Sequence, residues 1–344
     1  MESHPRLDWI DYLKGFAILF VVFGHMPFAD GTANPGRTVA YSFHMPLFFL
    51  LSGYTAALSY SRRPHALPFV GRRFLSLMVP YIVWGMLGTL FLLSGMHVGS
   101  ADVSASVKAL IAGYGQWWFL PCMFIMQILF VGGMCLKSCL KFKGSILLGF
   151  ALAVGAAFAC NSILAPFMLH KYGLPIGYLV RLHHLVWPFA LGCAMCMYKP
   201  FMDYVLRSEL LAFAAIVGYL VSCNYGIGGM ALSGTAAGIL LIRCFSRVSP
   251  QAANENTLAG FSLRMLKCFG ASSLAIYVTA WIFQSTLIPL CSQDMPQILV
   301  FVINMALSVL ICYLCVAVKK LINCSSTASL LFFGEFPKKI QAKP

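Results

Sequence analysis

The first residues able to do chemistry stand in Asp11-Tyr12-Leu13-Lys14-Gly15, followed eleven positions after the lysine by His25. Asp11 and Lys14 are three residues apart, so on a helix they share a face and can neutralise each other where a lone charge is costly. Lys14 and His25 also fall on one helical face, roughly 16 Å apart along the axis. That separation is close to the reach of a long, thin acyl-carrier arm, with a cationic anchor at one end and a base at the other. Histidine suits the second position because its pKa of about 6.5 lets it take a proton from a hydroxyl, or be acylated itself, at neutral pH.

A second imidazole, His44, lies in the run Tyr41-Ser42-Phe43-His44-Met45-Pro46, and Ser52 adds a hydroxyl further along. Two histidines at one level also suit a metal site or a proton relay. No carboxylate or cysteine stands at ligand spacing beside them, so no metal is expected. Arg72 and Arg73 place two fork-shaped cations at the edge where Lys14 lies, an arrangement that favours a phosphate ligand. The plainer reading is that they anchor a membrane helix against anionic lipid. Trp118, following Gln116-Trp117, and the cluster Arg181, His183, His184 and Trp187 join aromatic rings to polar donors, as a sugar site requires, although Trp also belts membrane interfaces. Asp11, Trp118, Arg181 and His183 are the candidate substrate contacts. Gly234-x-x-x-Gly238 is a helix-packing signal without chemistry, and Cys193 and Cys196 read as small buried hydrophobes.

The elements that must position these groups follow from composition. Hydrophobic residues make up 60% of 344 positions and charged residues 10%, too little polar surface for a water-soluble body. Apolar runs of about 20 residues recur, each long enough to cross a hydrocarbon core of roughly 30 Å as a helix. Breaking them at charge, Pro and Gly clusters predicts ten spans, at 8–28, 39–60, 73–95, 116–136, 145–163, 178–198, 209–223, 227–243, 268–289 and 297–318. With the N-terminus inside, the outer loops carry only Arg37, Lys108 and Lys171, and nearly all other basic residues, Arg6 and Arg243 among them, fall on the cytoplasmic side. Both termini are therefore expected to be cytoplasmic. The net charge of +14 is spread over short loops rather than gathered on one face, so no nucleic-acid partner is expected. The fold class is an all-α polytopic transmembrane bundle over residues 1–322, with 323–344 a short basic cytoplasmic tail.

Taken together these residues resemble the acyltransferase family 3 membrane proteins, in particular the stand-alone branch of fucose 4-O-acetylase-like acetyltransferases. The resemblance rests on Asp11-x-x-Lys14-Gly15 with His25 ten residues beyond, on Phe43-His44-Met45-Pro46 leading to Phe48-Phe49 and Ser52-Gly53-Tyr54, and on Arg73 ahead of Leu77 and Pro80-Tyr81. Trp118-Phe119-Leu120, Phe189-x-x-Gly192 and Ser273-Leu274-Ala275-Ile276-Tyr277 follow in the expected order. The resemblance implies that His25 is the essential histidine, that Lys14 and Arg73 help hold acyl-CoA, and that His44 with Ser52 completes the central site. It implies acetyl-CoA as donor, cell-envelope glycans as acceptors and the bacterial inner membrane as location. Two departures stand out: Ser76, where many relatives carry a second basic residue, and Ala280, where many carry His.

The expected activity is transfer of an acetyl group from acetyl-CoA to a sugar hydroxyl, with His25 as base or transient carrier and Lys14, Arg72 and Arg73 against the donor's phosphates. The partners expected are a sugar or glycan acceptor, membrane lipids and, if the chain does not act alone, a separate envelope-biosynthesis protein. Two rivals share the same residues: a transporter using Lys14 and His25 as a proton relay for a lipid-linked glycan or acyl compound, and a scaffold whose polar groups only hold the bundle together.

Overall fold

A computed structural model describes residues 7–26, 35–95, 117–140, 145–172, 177–223, 226–287 and 295–335. Arg6, Lys108 and Gln116, named above, lie outside them. Among the described residues every regular element is helical and no strand occurs. In chain order the α-helices are α1 Asp8–Gly24, α2 Pro35–Arg62, α3 Ala66–Arg73, α4 Val79–Gly95, α5 Phe119–Leu140, α6 Ser145–Ala159, α7 Ala165–Tyr172, α8 Gly177–Met197, α9 Lys199–Arg207, α10 Glu209–Ser222, α11 Gly226–Ser246, α12 Leu258–Ala271, α13 Ser273–Leu287, α14 Gln297–Ile322 and α15 Ser326–Phe333. Two π-helical turns, Phe74–Met78 and Cys160–Leu164, join α3 to α4 and α6 to α7.

Helix lies over each apolar window, but the windows are not all straight rods. Among the described residues three helices are long and apolar enough to cross a membrane singly: Ala66–Gly88, Phe119–Cys139 and Gln297–Ile322. Two more pass only as bent pairs, Arg181–Met197 with Lys199–Arg207 at 108° and Leu258–Ala271 with Ser273–Gln284 at 90°. The second bend falls inside the predicted span 268–289. Ser272, at φ −116° and ψ 14°, ends α12 there, within the small-residue run Gly270-Ala271-Ser272-Ser273. The tail beyond residue 322, expected to be a simple basic stretch, contains α15.

The chain forms two compact units, one from Met1–Ala57 and Pro188–Val318, the other from Leu58–Trp187 and Lys319–Pro344. In the first unit α1 is buried along nearly its whole length. Its neighbour α12 approaches through two reciprocal glycines. A Cβ on Gly15 would stand 1.9 Å from the Leu266 carbonyl oxygen, and one on Gly270 would stand 1.9 Å from that of Asp11. The same arrangement joins α2 to α8, where a Cβ on Gly53 would lie 2.0 Å from the Phe189 oxygen and one on Gly192 1.9 Å from the Leu50 oxygen. Lipid offers apolar side chains no less than a neighbouring helix does, so close backbone contact of this kind is what drives association within a membrane.

Pro46 interrupts α2. Lacking an N–H, it leaves the Ser42 carbonyl without its intrahelical donor, and Ser233 Oγ on α11 donates to that oxygen at 2.9 Å. The next residue, Gly234, lets α11 meet the proline ring, where a Cβ would stand 2.3 Å from Pro46 Cγ. One turn on, Gly238 faces Leu50, so the Gly-x-x-x-Gly signal is a packing surface for α2.

Arg243, counted above among loop cations, is 5% exposed. Its guanidinium donates to the carbonyls of Val205 at 3.0 Å and Ser208 at 2.7 Å and pairs with Glu209 at 2.6 Å. It thereby supplies donors to carbonyls at the end of α9, where the helix leaves them unsatisfied.

Gly53→Val should prevent normal docking of α2 on α8, costing about 1–3 kcal/mol or more through overpacking and depleting monodisperse protein in fluorescence-detected size exclusion. Gly132→Ala, where an added Cβ meets nothing within 4 Å, should elute as wild type.

Candidate functional site

His25 ends α1, with φ −94° and ψ −2° and its N–H directed to the carbonyls of Val21 and Val22. Gln284 on α13 donates to the same Val22 oxygen at 3.0 Å, so a residue from a second helix fixes the turn that presents the imidazole. His25 is exposed. Its Nδ1 shares a hydrogen bond of 3.3 Å with the Tyr41 hydroxyl, and the two rings meet edge to face at 5.7 Å.

Tyr41 and His44 are three residues apart on α2 and therefore on one face; their ring centroids lie 5.2 Å apart at 83°. His44 is 2% exposed. Its Nδ1 is hydrogen-bonded to the Ala40 carbonyl. A carbonyl oxygen only accepts, so Nδ1 carries the proton and the neutral ring keeps its lone pair on Nε2. Arg37 sits 5.4 Å over the Tyr41 ring. The centre is thus His25–Tyr41–His44 with an arginine above the tyrosine. Beneath it, Ser42 Oγ donates to Val39 O at 2.7 Å and lies 3.0 Å from the Tyr219 hydroxyl.

Tyr41 and Arg37 were not among the expected site residues. The signal for Tyr41 was the i, i+3 spacing to His44; Arg37 had been read as a loop cation, although α2 begins two residues earlier. Gln284 had no signal, because its role is a long-range contact to a helix-end carbonyl.

The remaining candidates fall into three places. Asp11 is 5% exposed and Lys14 half-buried in α1, and an ion pair at this end of the helix joins Asp8 to Lys267 at 2.7 Å. Because α1 is unbroken from Asp8 to Gly24, the expected rise of about 16 Å from Lys14 to His25 holds. Ser52 is half-buried on α2 eight residues from His44, about 12 Å of helical rise, so the structure does not bring it to the imidazoles.

In the second unit Arg72 is exposed, and Arg73 is half-buried with its guanidinium 5.0 Å over Phe69, at the entry to the π turn Phe74–Met78. There too Arg181 lies 4.5 Å over the Trp118 ring, which brings together two of the expected sugar contacts. His183 lies tilted at 41° against His184, 3.7 Å between ring centroids, and meets Phe158 at 5.6 Å. Its buried Nδ1 has no hydrogen-bond partner among the described residues. No group of three or more His, Cys, Asp or Glu able to hold a metal occurs among the described residues.

The family described as acyltransferase domain matches residues 7–317. Nodulation protein NolL of Sinorhizobium fredii (strain NBRC 101917 / NGR234) is 32% identical over 133 residues, covering 35% of this chain and 35% of that protein. Nodulation protein NolL of Mesorhizobium japonicum (strain LMG 29417 / CECT 9101 / MAFF 303099) is 30% identical over 132 residues, or 35% and 34%. The chain thus spans about a third of the length of the curated relatives it matches. No solved structure matches it.

If the centre is built as described, diethyl pyrocarbonate should modify exposed His25 well before buried His44. Peptide mapping of briefly treated protein by mass spectrometry checks this; equal labelling of both rings contradicts the assigned burial.

Proposed function

This chain belongs to acyltransferase family 3, and from that premise we propose that it is a membrane O-acyltransferase that moves an acetyl group from acetyl-CoA to a hydroxyl of a cell-envelope sugar. The observation that carries the reading is the His25–Tyr41 hydrogen bond at the end of α1. When Tyr41 accepts from the His25 Nδ1–H, Nε2 holds the lone pair a general base needs. The acceptor's O–H proton passes to His25 Nε2, and the oxygen attacks the thioester carbonyl carbon. The resulting tetrahedral oxyanion collapses with cleavage of the C–S bond, and the departing thiolate takes the proton back from the imidazolium. Covalent carriage of the acetyl group by His25 is not needed for this sequence.

His44 has a different part. Its proton is committed to Ala40, so the neutral ring accepts a hydrogen bond and does not donate one to the oxyanion. It packs edge to face on Tyr41 at 5.2 Å and holds that ring beside His25. Arg181 over Trp118 offers the stacked face and the fork of donors suited to a sugar ring and its oxygens. Lys14, Arg72 and Arg73 hold the donor's phosphates in this reading.

We place the centre in a bacterial inner membrane crossed ten times, with both termini in the cytoplasm. The gathering of basic residues in alternate loops supports this.

Wild type and His25→Ala, brought to equal folded amounts in detergent, should differ by at least about 100-fold in transfer of radiolabelled acetyl from acetyl-CoA to isolated envelope glycans. Tyr41→Phe, which removes the partner of Nδ1 and keeps the ring, should lower kcat about tenfold. Undiminished transfer by His25→Ala overturns the assignment.

A further inference from the structure

Helix α15 lies beyond residues 7–317, the part of the chain that the family matches, yet it is built as a docked element. Ser325 caps its N-terminus by accepting from Ala328 N–H at 3.3 Å. Gly334 caps its C-terminus in the left-handed region at φ 61°. The next residue, Glu335, is held through both carboxylate oxygens: Lys319 pairs with Oε1 at 2.6 Å and Asn323 donates to Oε2 at 3.0 Å. Both partners come from the segment that closes α14.

What this helix grips is the junction of α3 and α4. Trp84 Nε1 donates to the Phe332 carbonyl at 2.7 Å, and its ring stacks on Phe333 at 6.4 Å and meets Phe332 edge-on at 5.6 Å. Gly334 touches backbone directly: a Cβ there would stand 2.4 Å from Ser76 Cα and 2.7 Å from Ser76 O. Ser76 is the middle residue of the π turn Phe74–Met78, which follows Arg72-Arg73 without a break. Ser76 Oγ in turn donates to the Arg73 carbonyl at 3.3 Å. Glycine at residue 334 satisfies two demands at once, a left-handed cap and an approach that a side chain would block.

A π turn is a rare, locally widened stretch frequent at functional sites, and this one follows directly on the two arginines that close α3. We propose that α15 is a clamp on this π turn, and that Trp84, Gly334 and Glu335 are positioning residues which hold Arg72 and Arg73 in register for the phosphates of the acyl donor. The clamp rests on the reading of those arginines as the donor's phosphate contacts.

Equilibrium binding of tritiated CoA to the full-length protein in nanodiscs tests both ideas separately. Arg73→Ala, Gly334→Val, Trp84→Phe and the Arg73→Ala/Trp84→Phe double variant are compared after their folded fractions are matched. The clamp predicts about tenfold weaker CoA binding for Gly334→Val and for Trp84→Phe. It also predicts a double variant whose loss is smaller than the sum of the two single losses, because the clamp acts through the arginines and the double variant lacks one of them. A general loss of stability would instead add to the arginine defect, and additive losses overturn the proposal. Weaker binding by Arg73→Ala with unchanged binding by Trp84→Phe overturns the clamp and leaves the donor site standing. Unchanged binding by Arg73→Ala removes the donor site and the clamp with it. Should Gly334→Val fail to fold, Trp84→Phe decides, since it deletes one hydrogen-bond donor and keeps an aromatic ring.

Discussion

Direct contact of helix backbones, made through reciprocal glycines, is the constraint on which the first unit depends. Gly15 and Gly270 join α1 to α12, and Gly53 and Gly192 join α2 to α8. In an apolar solvent a leucine gains little by leaving lipid for protein, so helices associate where shape lets many atoms touch and where polar groups find partners. The glycines supply the first of these conditions. They also set the heights of the helices, since each pair locks one helix against a particular carbonyl of the other. A further glycine, Gly24, where a Cβ would stand 2.9 Å from the Tyr41 ring, brings the end of α1 with His25 against the turn of α2 that carries His44.

Polar satisfaction supplies the second condition, and it is met by long-range donors. Pro46 frees the Ser42 carbonyl and Ser233 fills it; the end of α1 frees the Val22 carbonyl and Gln284 donates to it; the end of α9 frees carbonyls that Arg243 takes. Each repair joins two helices at a point where one of them is imperfect. Two of the three lie within a turn or so of a histidine. The local breaks that would weaken a uniform bundle therefore specify the site, because only one arrangement of neighbours satisfies every freed group.

Much of this was legible in sequence, for reasons that differ by residue. The apolar windows were visible because a chain in lipid must hide its backbone in helix. Gly234 and Gly238 were readable as packing because small residues four apart leave a groove whatever the partner. Lys14, His25 and His44 stood out as polar groups in apolar runs. Tyr41 did not, because tyrosine is ordinary at a membrane boundary and its role appears only when His25 is seen beside it. Gln284 and Arg243 stayed hidden for a deeper reason: apart from Glu209, their partners given above are main-chain carbonyls, which have no sequence signature. The docking of α15 is likewise a product of tertiary contact, expressed at single residues.

The burial of α1 narrows what Lys14 and His25 can do. Between Ile10 and Gly24 the polar side chains are Asp11, Tyr12 and Lys14, and of these only Lys14 keeps partial access; at the end of the helix His25 is exposed. An unbroken helix packed on nearly all sides has little freedom to bend, so the interval of about 16 Å between these two openings is fixed by helical rise. For a donor anchored through its phosphates at the first opening, that interval selects for length in the arm that carries the reactive carbon. A donor with a much shorter arm would bind the same cation and leave its carbonyl short of the imidazole. Specificity for the carrier would then arise from distance along one helix, with acceptor recognition left to groups elsewhere in the chain.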